Sequence, residues 1–324
     1  MRFLTTLSAV ATAATLSLMS QVQAEEWRLG HVLPPSHPTN LALEKAAAQV
    51  LEKTDGRVDI KVFPSGQIGG AKEILTGMTL GTHQMAFDGA GILSQWTPSM
   101  GVFEAPFLAK DFAHVERMFA SEQGRKIVEE LRADHDFRML DIWYYGTRHL
   151  TNNLGPVNSV ADMADMKVRV PEVALSLSFM KALGATPTPM AFSELYLGLQ
   201  TGVVDGQENP LPTIDAAKFY EVQEHLALTG HLVQFVAPIV SEMAWNSLSE
   251  EDQAILIEAF SEVGDAYNQS IVDVEADLVA TLKDKGMKVT EPDRAEMAAA
   301  MAPVYAEFED VWGAGVFDAM AAVE

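Results

Sequence analysis

Apolar and polar residues alternate in short runs along the first third of the chain. Strand patterns cover residues 27–33, 58–62 and 84–87, whereas helical patterns cover residues 40–54 and 72–80. The helical spacing has a period near 3.6 residues and the strand spacing a period of two. Strands that alternate with helices through short links predict βαβ units and a mostly parallel sheet.

The same alternation of strand and helix patterns is found in the second part of the chain. The pattern predicts an apolar, aromatic strand at residues 139–145 that ends at 146–148, and a helix before it at 112–132. Further strands are predicted at 167–170 and 203–205, with helices at 172–183 and 193–200. Two halves of the same kind predict an α/β fold of two similar lobes, each a mostly parallel sheet flanked by helices. Strands would pass between the lobes.

A long amphipathic helix is predicted near the end of the chain. Ser249–Asp252 form a capping-box pattern, and apolar residues then recur at threes and fours up to Leu282. A helix over 249–285 is longer than one small lobe is wide and would span both. A coiled coil is less favoured, because Gly264 and Asn268 lie near the seam.

These elements predict the extent of each lobe. Lobe 1 would comprise residues 25–147 plus about 236–255, and lobe 2 would comprise 148–235 plus about 256–324. The crossing strands near 145–148 and 236–240 would then serve as the hinge.

The first 24 residues have the features of a signal peptide. Arg2 precedes the apolar stretch 4–19, and small residues stand at the cleavage position that follows it. An uncleaved anchor helix is less favoured, since about 20 strongly apolar residues are needed to span a bilayer. The remaining chain is expected in the periplasm and not embedded in the membrane.

Composition excludes several classes of partner and chemistry. Removal of residues 1–24 leaves 21 basic and 45 acidic residues, a net charge of −24 that disfavours nucleic acid and anionic lipid. The chain has no cysteine, and it lacks the G-x-S-x-G, H-E-x-x-H and phosphate-loop motifs of enzymes. We therefore expect no catalysis, no cofactor and no metal site.

Two arginines are the strongest candidates for ligand binding. Arg148 and Arg169 are the only arginines between Met139 and Asp293, and both follow apolar strand sequence. A guanidinium group at a strand end can bind a carboxylate through two parallel hydrogen bonds. The alternative, which the sequence leaves open, is that each arginine pairs with an acid of the protein and holds a hinge.

Other candidates follow from position alone. The carboxyl ends of parallel strands meet at one edge of a sheet, where ligands bind. The candidates are His31, Gln67, Asp88, Trp96 and Lys72 in the first half, and Phe192 and Asn209 in the second. An aromatic residue on an apolar stretch is more often part of the core, and an asparagine before a proline is more often part of a turn.

Several segments resemble the substrate-binding subunit of TRAP transporters, the DctP-type family. The matching segments are Phe63–Gly69, Thr147–Asn152, Met166–Pro171, Leu183–Pro189, Glu194–Gly202 and Val204–Pro210. The resemblance covers essentially the whole chain after residue 24. It implies a two-lobed periplasmic binding protein that closes on its ligand like a venus flytrap, with a long helix spanning both lobes. It also implies partner membrane subunits that are driven by an ion gradient.

The resemblance also assigns roles to residues. It implies that Arg169 binds the ligand carboxylate and that Arg148, Phe192 and Asn209 face the cleft. The expected function is capture of a small organic acid anion, and we favour a polyhydroxylated acid because several candidates are polar. A periplasmic enzyme and a sensor module that presents its ligand to a receptor are the alternatives.

Overall fold

The computed structural model describes residues 25–324, so the predicted signal peptide lies outside the described residues. The strands are β1 (Glu25–Gly30), β2 (Val58–Phe63), β3 (Met85–Gly89), β4 (Phe137–Met139), β5 (Trp143–Asn152), β6 (Lys167–Val170), β7 (Thr186–Pro189), β8 (Gly206–Pro210), β9 (His225–Ser241) and β10 (Lys288–Thr290). The α-helices are α1 (Pro38–Lys53), α2 (Ala71–Thr79), α3 (Ala90–Leu93), α4 (Phe112–Ala120), α5 (Glu122–His135), α6 (Ala174–Ala182), α7 (Phe192–Gln200), α8 (Leu211–Ala216), α9 (Glu242–Ser247), α10 (Glu250–Asp284), α11 (Arg294–Ala299), α12 (Ala302–Trp312) and α13 (Val316–Ala321). Short 3-10 helices occupy Pro98–Glu104, Val160–Met163 and Phe219–Glu221.

A single mixed sheet runs through the described part of the molecule. Its strand order is β2-β1-β3-β9-β5-β8-β6-β7, and β4 and β10 also pair with β9. The strands at both ends of this order are parallel: β1 pairs with β2 and β3, and β6 pairs with β7 and β8. We call the part built on β1–β3 lobe 1 and the part built on β6–β8 lobe 2. The two-lobed α/β fold is thus confirmed.

The two lobes are joined by the crossing strands β5 and β9, which pair antiparallel with each other. The 17-residue β9 pairs with β5 along its first part and with β3 from Val236 to Val240. β5 also pairs antiparallel with β8. The parallel arrangement expected of each lobe therefore holds for its outer strands, whereas the strands that cross between the lobes are antiparallel.

Three predicted elements differ from the structure. The strand predicted at 139–145 is split into β4 and β5, and β5 continues past Gly146 to Asn152 because a bulge absorbs the positive φ of +120° at that glycine. The strand predicted at 203–205 is wrong: α7 ends at Gln200, the chain turns at Gly202 with φ +72°, and the strand begins only at Gly206. The helix predicted at 112–132 is divided at Ser121, whose hydroxyl accepts a hydrogen bond from Gly124 N and caps α5.

The long helix is confirmed. α10 has 35 residues, and the Ser249 hydroxyl accepts a hydrogen bond from Asp252 N at 3.1 Å, as the capping pattern predicts. The helix packs against α1 in lobe 1 and against α8 and β10 in lobe 2. No helix in residues 25–324 has the length and apolarity needed to cross a membrane.

Gly264 is the point of closest approach between α10 and β5. A Cβ atom there would overlap the indole of Trp143, with its Cδ1 at 2.8 Å, and would lie 2.8 Å from Asp141 Oδ2. Overpacking of this kind costs about 1–3 kcal/mol, against a gain in helix propensity of at most about 1 kcal/mol. We expect Gly264→Ala to lower the melting temperature by several degrees in calorimetry. Gln269→Ala, on the exposed face of the same helix, is the control, and an unchanged melting temperature for Gly264→Ala would contradict the packing described here.

Candidate functional site

A cavity of about 200 Å³ lies between the two lobes, where the carboxyl ends of their parallel strands face each other. β1, β2 and β3 lead into its wall on the lobe 1 side, and β6 and β7 lead into its wall on the lobe 2 side. The crossing strands form its floor. The polar residues that line it are Lys72, Glu73, Asp88, Gln95, Glu104, Tyr145, Arg148, Arg169, Glu172, Ser193, Asn209 and Gln234. The dimensions suit a small organic molecule.

Arg169 is the basic group of the lobe 2 wall. It lies in β6, lines the cavity and is 4% exposed. Its Nε donates to the carbonyl oxygen of Met190 at 2.9 Å, and its guanidinium carbon lies 5.8 Å from the ring centroid of Phe192. Within residues 25–324 its two terminal nitrogens have no hydrogen-bond partner, and no carboxylate forms a salt bridge with it. The side chain is therefore oriented by the protein while its donors remain available to a ligand.

Burial affects the charge of Arg169 without removing it. Burial lowers its pKa to about 10, and the negative charge of Glu208 opposes this shift. The group is thus positively charged at neutral pH in a poorly solvated place. A buried cation without a carboxylate partner carries a large desolvation free energy. The electrostatic attraction of an anionic ligand to this group is therefore stronger than it would be in water.

Arg148 has a different environment. Its Nη2 donates to Glu208 Oε1 at 2.8 Å and to the Glu208 carbonyl oxygen at 2.6 Å, and its Nη1 donates to Gln234 Oε1 at 2.7 Å. Arg148 therefore adopts the internal pairing that the sequence left open, although it also lines the cavity. Any contact with a ligand would be made by a guanidinium group that is already fixed.

Glu208 is the centre of this buried network. Its Oε2 lies 3.1 Å from His231 Nε2, and His231 Nδ1 lies 2.8 Å from the hydroxyl of Thr229. Burial alone would raise the pKa of Glu208, but the positive charge of Arg148 and the hydrogen bonds from His231 and Arg148 outweigh it and hold the pKa at about 2. The carboxylate is consequently ionised throughout the physiological range, and it anchors the floor of the cavity.

Phe192 and Asn209 complete the lobe 2 wall. Phe192 begins α7 and packs edge-on against Phe219 with ring centroids 6.0 Å apart. Asn209 is buried in β8, and its Nδ2 donates to Gln207 Oε1 at 2.6 Å. Both residues line the cavity. The aromatic ring can cover an apolar face of a ligand, and the amide oxygen of Asn209 can accept a hydrogen bond.

The lobe 1 wall is acidic on its inner side. Asp88 in β3 accepts a hydrogen bond from Gly89 N at 2.8 Å, and Glu104 accepts one from Gln234 Nε2 at 2.7 Å. Burial raises the pKa of Asp88 to about 7. The negative charge of Glu104 contributes to this rise, whereas the hydrogen bond from Gly89 opposes it. Lys72 lines the cavity from the exposed start of α2.

The structure brings six of the predicted site residues to the cavity and leaves three elsewhere. The six are Arg169, Arg148, Asn209, Phe192, Asp88 and Lys72. His31 is buried, with Nε2 3.0 Å from Asn40 Oδ1 and Nδ1 accepting from Leu33 N, so it holds the start of α1. Gln67 borders a separate shallow depression beside α1 and β2, and Trp96 packs edge-on against Phe137. Sequence position placed these three near strand ends, but it did not show which way their side chains turn.

Seven of the polar residues that line the cavity were not among the predicted site residues, and Glu104, Tyr145 and Gln234 are three of them. Glu104 lies in a 3-10 helix with no pattern of its own, and Tyr145 belongs to an aromatic stretch that is typical of a core. The sequence does contain a feature that could have identified Gln234 as a site residue, because it is a lone amide within the otherwise apolar run Leu232–Val240. Within residues 25–324 no group of three or more His, Asp or Glu side chains is arranged to hold a metal ion.

Comparison with known proteins gives a consistent picture. Residues 29–310 match the family described as bacterial extracellular solute-binding protein, family 7 (DctP). The chain is 42% identical over 280 residues to the sialic acid-binding periplasmic protein SiaP of Vibrio cholerae serotype O1, an alignment that covers 86% of this chain and 87% of that protein.

Solved structures agree in fold. A TRAP periplasmic solute-binding protein from Polaromonas bound to D-erythronate has a TM-score of 0.87 and 33% identity, and the match covers 92% of this chain and 99% of that one. A TRAP periplasmic solute-binding protein from Roseobacter denitrificans with bound L-galactonate has a TM-score of 0.86 and 32% identity, and the match covers 91% and 98% of the two chains. The chain thus belongs to the DctP family of extracellular solute-binding proteins, the periplasmic subunits that bind the substrate of TRAP transporters and work with their membrane subunits.

Proposed function

We propose that this protein captures a small hydroxylated organic acid in the periplasm, with the ligand carboxylate bound to Arg169. The observation that carries the proposal is the state of that side chain. It is buried at the wall of the cavity and fixed through Nε, and its terminal nitrogens have no partner among residues 25–324. A carboxylate is the group whose two oxygens match the two remaining donors.

The surroundings of Arg169 support a hydroxylated ligand. Carbonyl, amide and carboxyl groups line the same cavity, and each can accept a hydrogen bond from a hydroxyl group. Relatives of this chain are named for sialic acid or were crystallised with D-erythronate or L-galactonate, all of which are hydroxylated acids. Burial of the ligand between the lobes would exclude water and strengthen each of these hydrogen bonds.

We propose that binding closes the two lobes on each other. Residues 25–147 plus about 236–255 would move against residues 148–235 plus about 256–324, with the crossing strands as the hinge. Contacts across the cleft support this motion: Gln95 Nε2 donates to the Glu172 carbonyl oxygen at 3.3 Å, and His37 Nε2 lies 3.1 Å from the Thr213 hydroxyl. Both are single polar contacts, which can break when the two surfaces separate.

Export and delivery complete the proposal. Residues 1–24 would act as a cleaved signal peptide, and the loaded protein would present its ligand to the membrane subunits of the transporter. We propose that the ligand is bound without chemical conversion, because the relatives are binding proteins. The acidity of the chain makes the local positive charge of the cavity a requirement for capture of an anion.

Calorimetric titration with matched carboxylate and neutral ligands tests the proposal. The purified protein is first screened by thermal shift against organic acids, since a ligand that binds only the folded state raises its melting temperature. The best acid is then compared with its methyl ester. Loss of a charge-assisted hydrogen bond costs about 1.5–3 kcal/mol, so the ester is expected to bind roughly tenfold to a hundredfold more weakly. An ester that binds as tightly as the acid would refute the assignment of the anion site.

A further inference from the structure

The cavity has walls of opposite charge. The lobe 2 wall holds the guanidinium of Arg169, whereas the lobe 1 wall holds the carboxyl groups of Asp88 and Glu104. Tyr145, on the floor, lies close enough to both walls for the charges of Asp88 and Arg169 to act in opposite directions on the pKa of its hydroxyl. A ligand anchored at Arg169 and extending across the cavity therefore reaches an acidic surface.

Glu104 has a fixed position in that surface. Its Oε1 accepts a hydrogen bond from Gln234 Nε2 at 2.7 Å, and Gln234 in turn accepts one from Arg148. The carboxyl group lies over two glycines of the lobe 1 wall: a Cβ atom on Gly89 would stand 2.8 Å from Glu104 Oε1, and one on Gly91 would overlap Oε2. Since side chains at positions 89 and 91 would displace it, these glycines leave the space that Glu104 fills.

Asp88 presents an open acceptor beside it. Its Oδ1 accepts a hydrogen bond from Gly89 N at 2.8 Å, and within residues 25–324 its Oδ2 has no hydrogen-bond partner. A ligand hydroxyl can donate to this oxygen. A ligand carboxylate has no proton to donate and would place a second negative charge beside Asp88 and Glu104 in a poorly solvated site.

We propose that Asp88, supported by Glu104, forms a distal subsite that accepts hydrogen bonds from ligand hydroxyl groups and rejects a second carboxylate, so that the protein selects hydroxylated monocarboxylates over dicarboxylates. The inference rests on the proposed binding of one carboxylate at Arg169. The inference adds that Asp88 selects the chemical group at the end of the ligand opposite its carboxylate.

Lys72 is the group that could oppose this selection. It is exposed at the start of α2, next to the equally exposed Glu73, and Glu172 adds a further carboxyl group from lobe 2. Water and salt screen the charge of an exposed lysine, whereas Glu104 is buried and Asp88 is partly buried. For a ligand held deep in the cavity, the negative charges of Asp88 and Glu104 therefore outweigh the positive charge of Lys72.

Matched pairs of sugar acids test the selection. Each pair has the same carbon skeleton and differs only in whether the far end is a hydroxymethyl group or a carboxylate: erythronate and meso-tartrate, xylonate and xylarate, galactonate and galactarate. Calorimetric titration at pH 8.5 is expected to show at least tenfold tighter binding of the monocarboxylate in every pair in which it binds. Asp88→Asn removes the negative charge and adds a hydrogen-bond donor. In this variant the ratio of the monocarboxylate affinity to the dicarboxylate affinity is expected to fall to about threefold or less.

Two further measurements keep the test decisive. Asp59→Asn, a carboxylate of lobe 1 outside the cavity, should leave the ratio unchanged. The unmodified protein at pH 6 should show a smaller ratio than at pH 8.5, because burial raises the pKa of Asp88 to about 7 and the protonated group can donate to a carboxylate. The other charged groups that line the cavity are Glu104, Lys72, Glu73, Arg148, Arg169 and Glu172.

The outcomes separate this inference from the proposed function. Tighter binding of the dicarboxylates, absence of binding by every monocarboxylate of the series, or a ratio that is the same in Asp88→Asn and at both pH values would overturn the inference. The proposed function would still stand if some other organic acid bound in a manner that depends on Arg169. It fails if binding of an acid is independent of that arginine.

Discussion

Replacement of Arg169 by alanine is expected to weaken binding of the acid by roughly thirtyfold to a few thousandfold. The reason is that truncation of one partner of a buried charge pair costs about 2–5 kcal/mol, and each 1.4 kcal/mol is about tenfold in affinity. Arg169 is 4% exposed, and in the described part of the chain its terminal nitrogens lack a protein acceptor, whereas both terminal nitrogens of Arg148 have one. Calorimetric titration with the acid found by screening measures the effect.

Two further variants define the cause of that loss. Arg169→Lys should also weaken binding, because an ammonium group cannot reproduce the planar pair of donors. Arg125→Ala, which removes an exposed arginine whose Nη1 donates to the Ala120 carbonyl oxygen, should bind the acid like the unmodified protein. An affinity of Arg169→Ala within threefold of the unmodified value would show that the carboxylate is bound elsewhere.

Replacement of Glu208 by alanine is expected to destabilise the folded protein by about 3–5 kcal/mol. Removal of one partner of a buried ion pair leaves the other charge uncompensated, and Glu208 pairs with Arg148 while also meeting His231. The loss is measured as a fall in melting temperature or in the urea midpoint. Glu224→Ala is the matched control, because the Glu224–Lys288 pair has about two thirds of each side chain exposed and such pairs contribute about 0–1 kcal/mol.

The pH dependence of this effect has a definite sign. The folded protein holds the pKa of Glu208 at about 2, below the ordinary value of 4.5. A lowered carboxyl pKa contributes stability that is present above pH 4.5 and is lost as the pH falls towards 2. The stability difference between the unmodified protein and Glu208→Gln should therefore shrink as the pH is lowered through this range. A difference that grew with acidification would contradict the ion pair.

The two arginines show how similar sequence signals can lead to different roles. Both follow apolar strand sequence, and the sequence could not tell a ligand contact from an internal ion pair. The structure separates them: Arg148 is held by Glu208 and Gln234, whereas among residues 25–324 the guanidinium of Arg169 makes a hydrogen bond through its Nε alone. The deciding residues, Glu208 and Gln234, lie 60 and 86 positions from Arg148 along the chain, a distance over which periodicity gives no information.

Local patterns were sufficient for much of the fold, because helices and strands depend on nearby residues. The capping residue Ser249 and the apolar spacing after it predicted the helix that became α10, and alternation predicted β2. β8 was misplaced because its residues Gln207, Glu208 and Asn209 are polar and yet buried. A polar strand is stable in the interior only when distant partners satisfy its side chains, and those partners are visible only in the folded structure.

The sequence by itself therefore determined the alternation of strands and helices, the two-lobed class of fold, and the family, whose resemblance predicts an arginine-based anion site. The tertiary structure decided which of the two arginines has terminal nitrogens without a partner among residues 25–324, that His31 turns towards Asn40 and away from the cavity, and that Asp88 and Glu104 line the same cavity as Arg169. The physical reason is the range of the forces involved. Backbone preferences and apolar periodicity act within a few residues, whereas burial and charge pairing at the site join side chains from β3, β5, β6, β8 and β9 that meet only after folding.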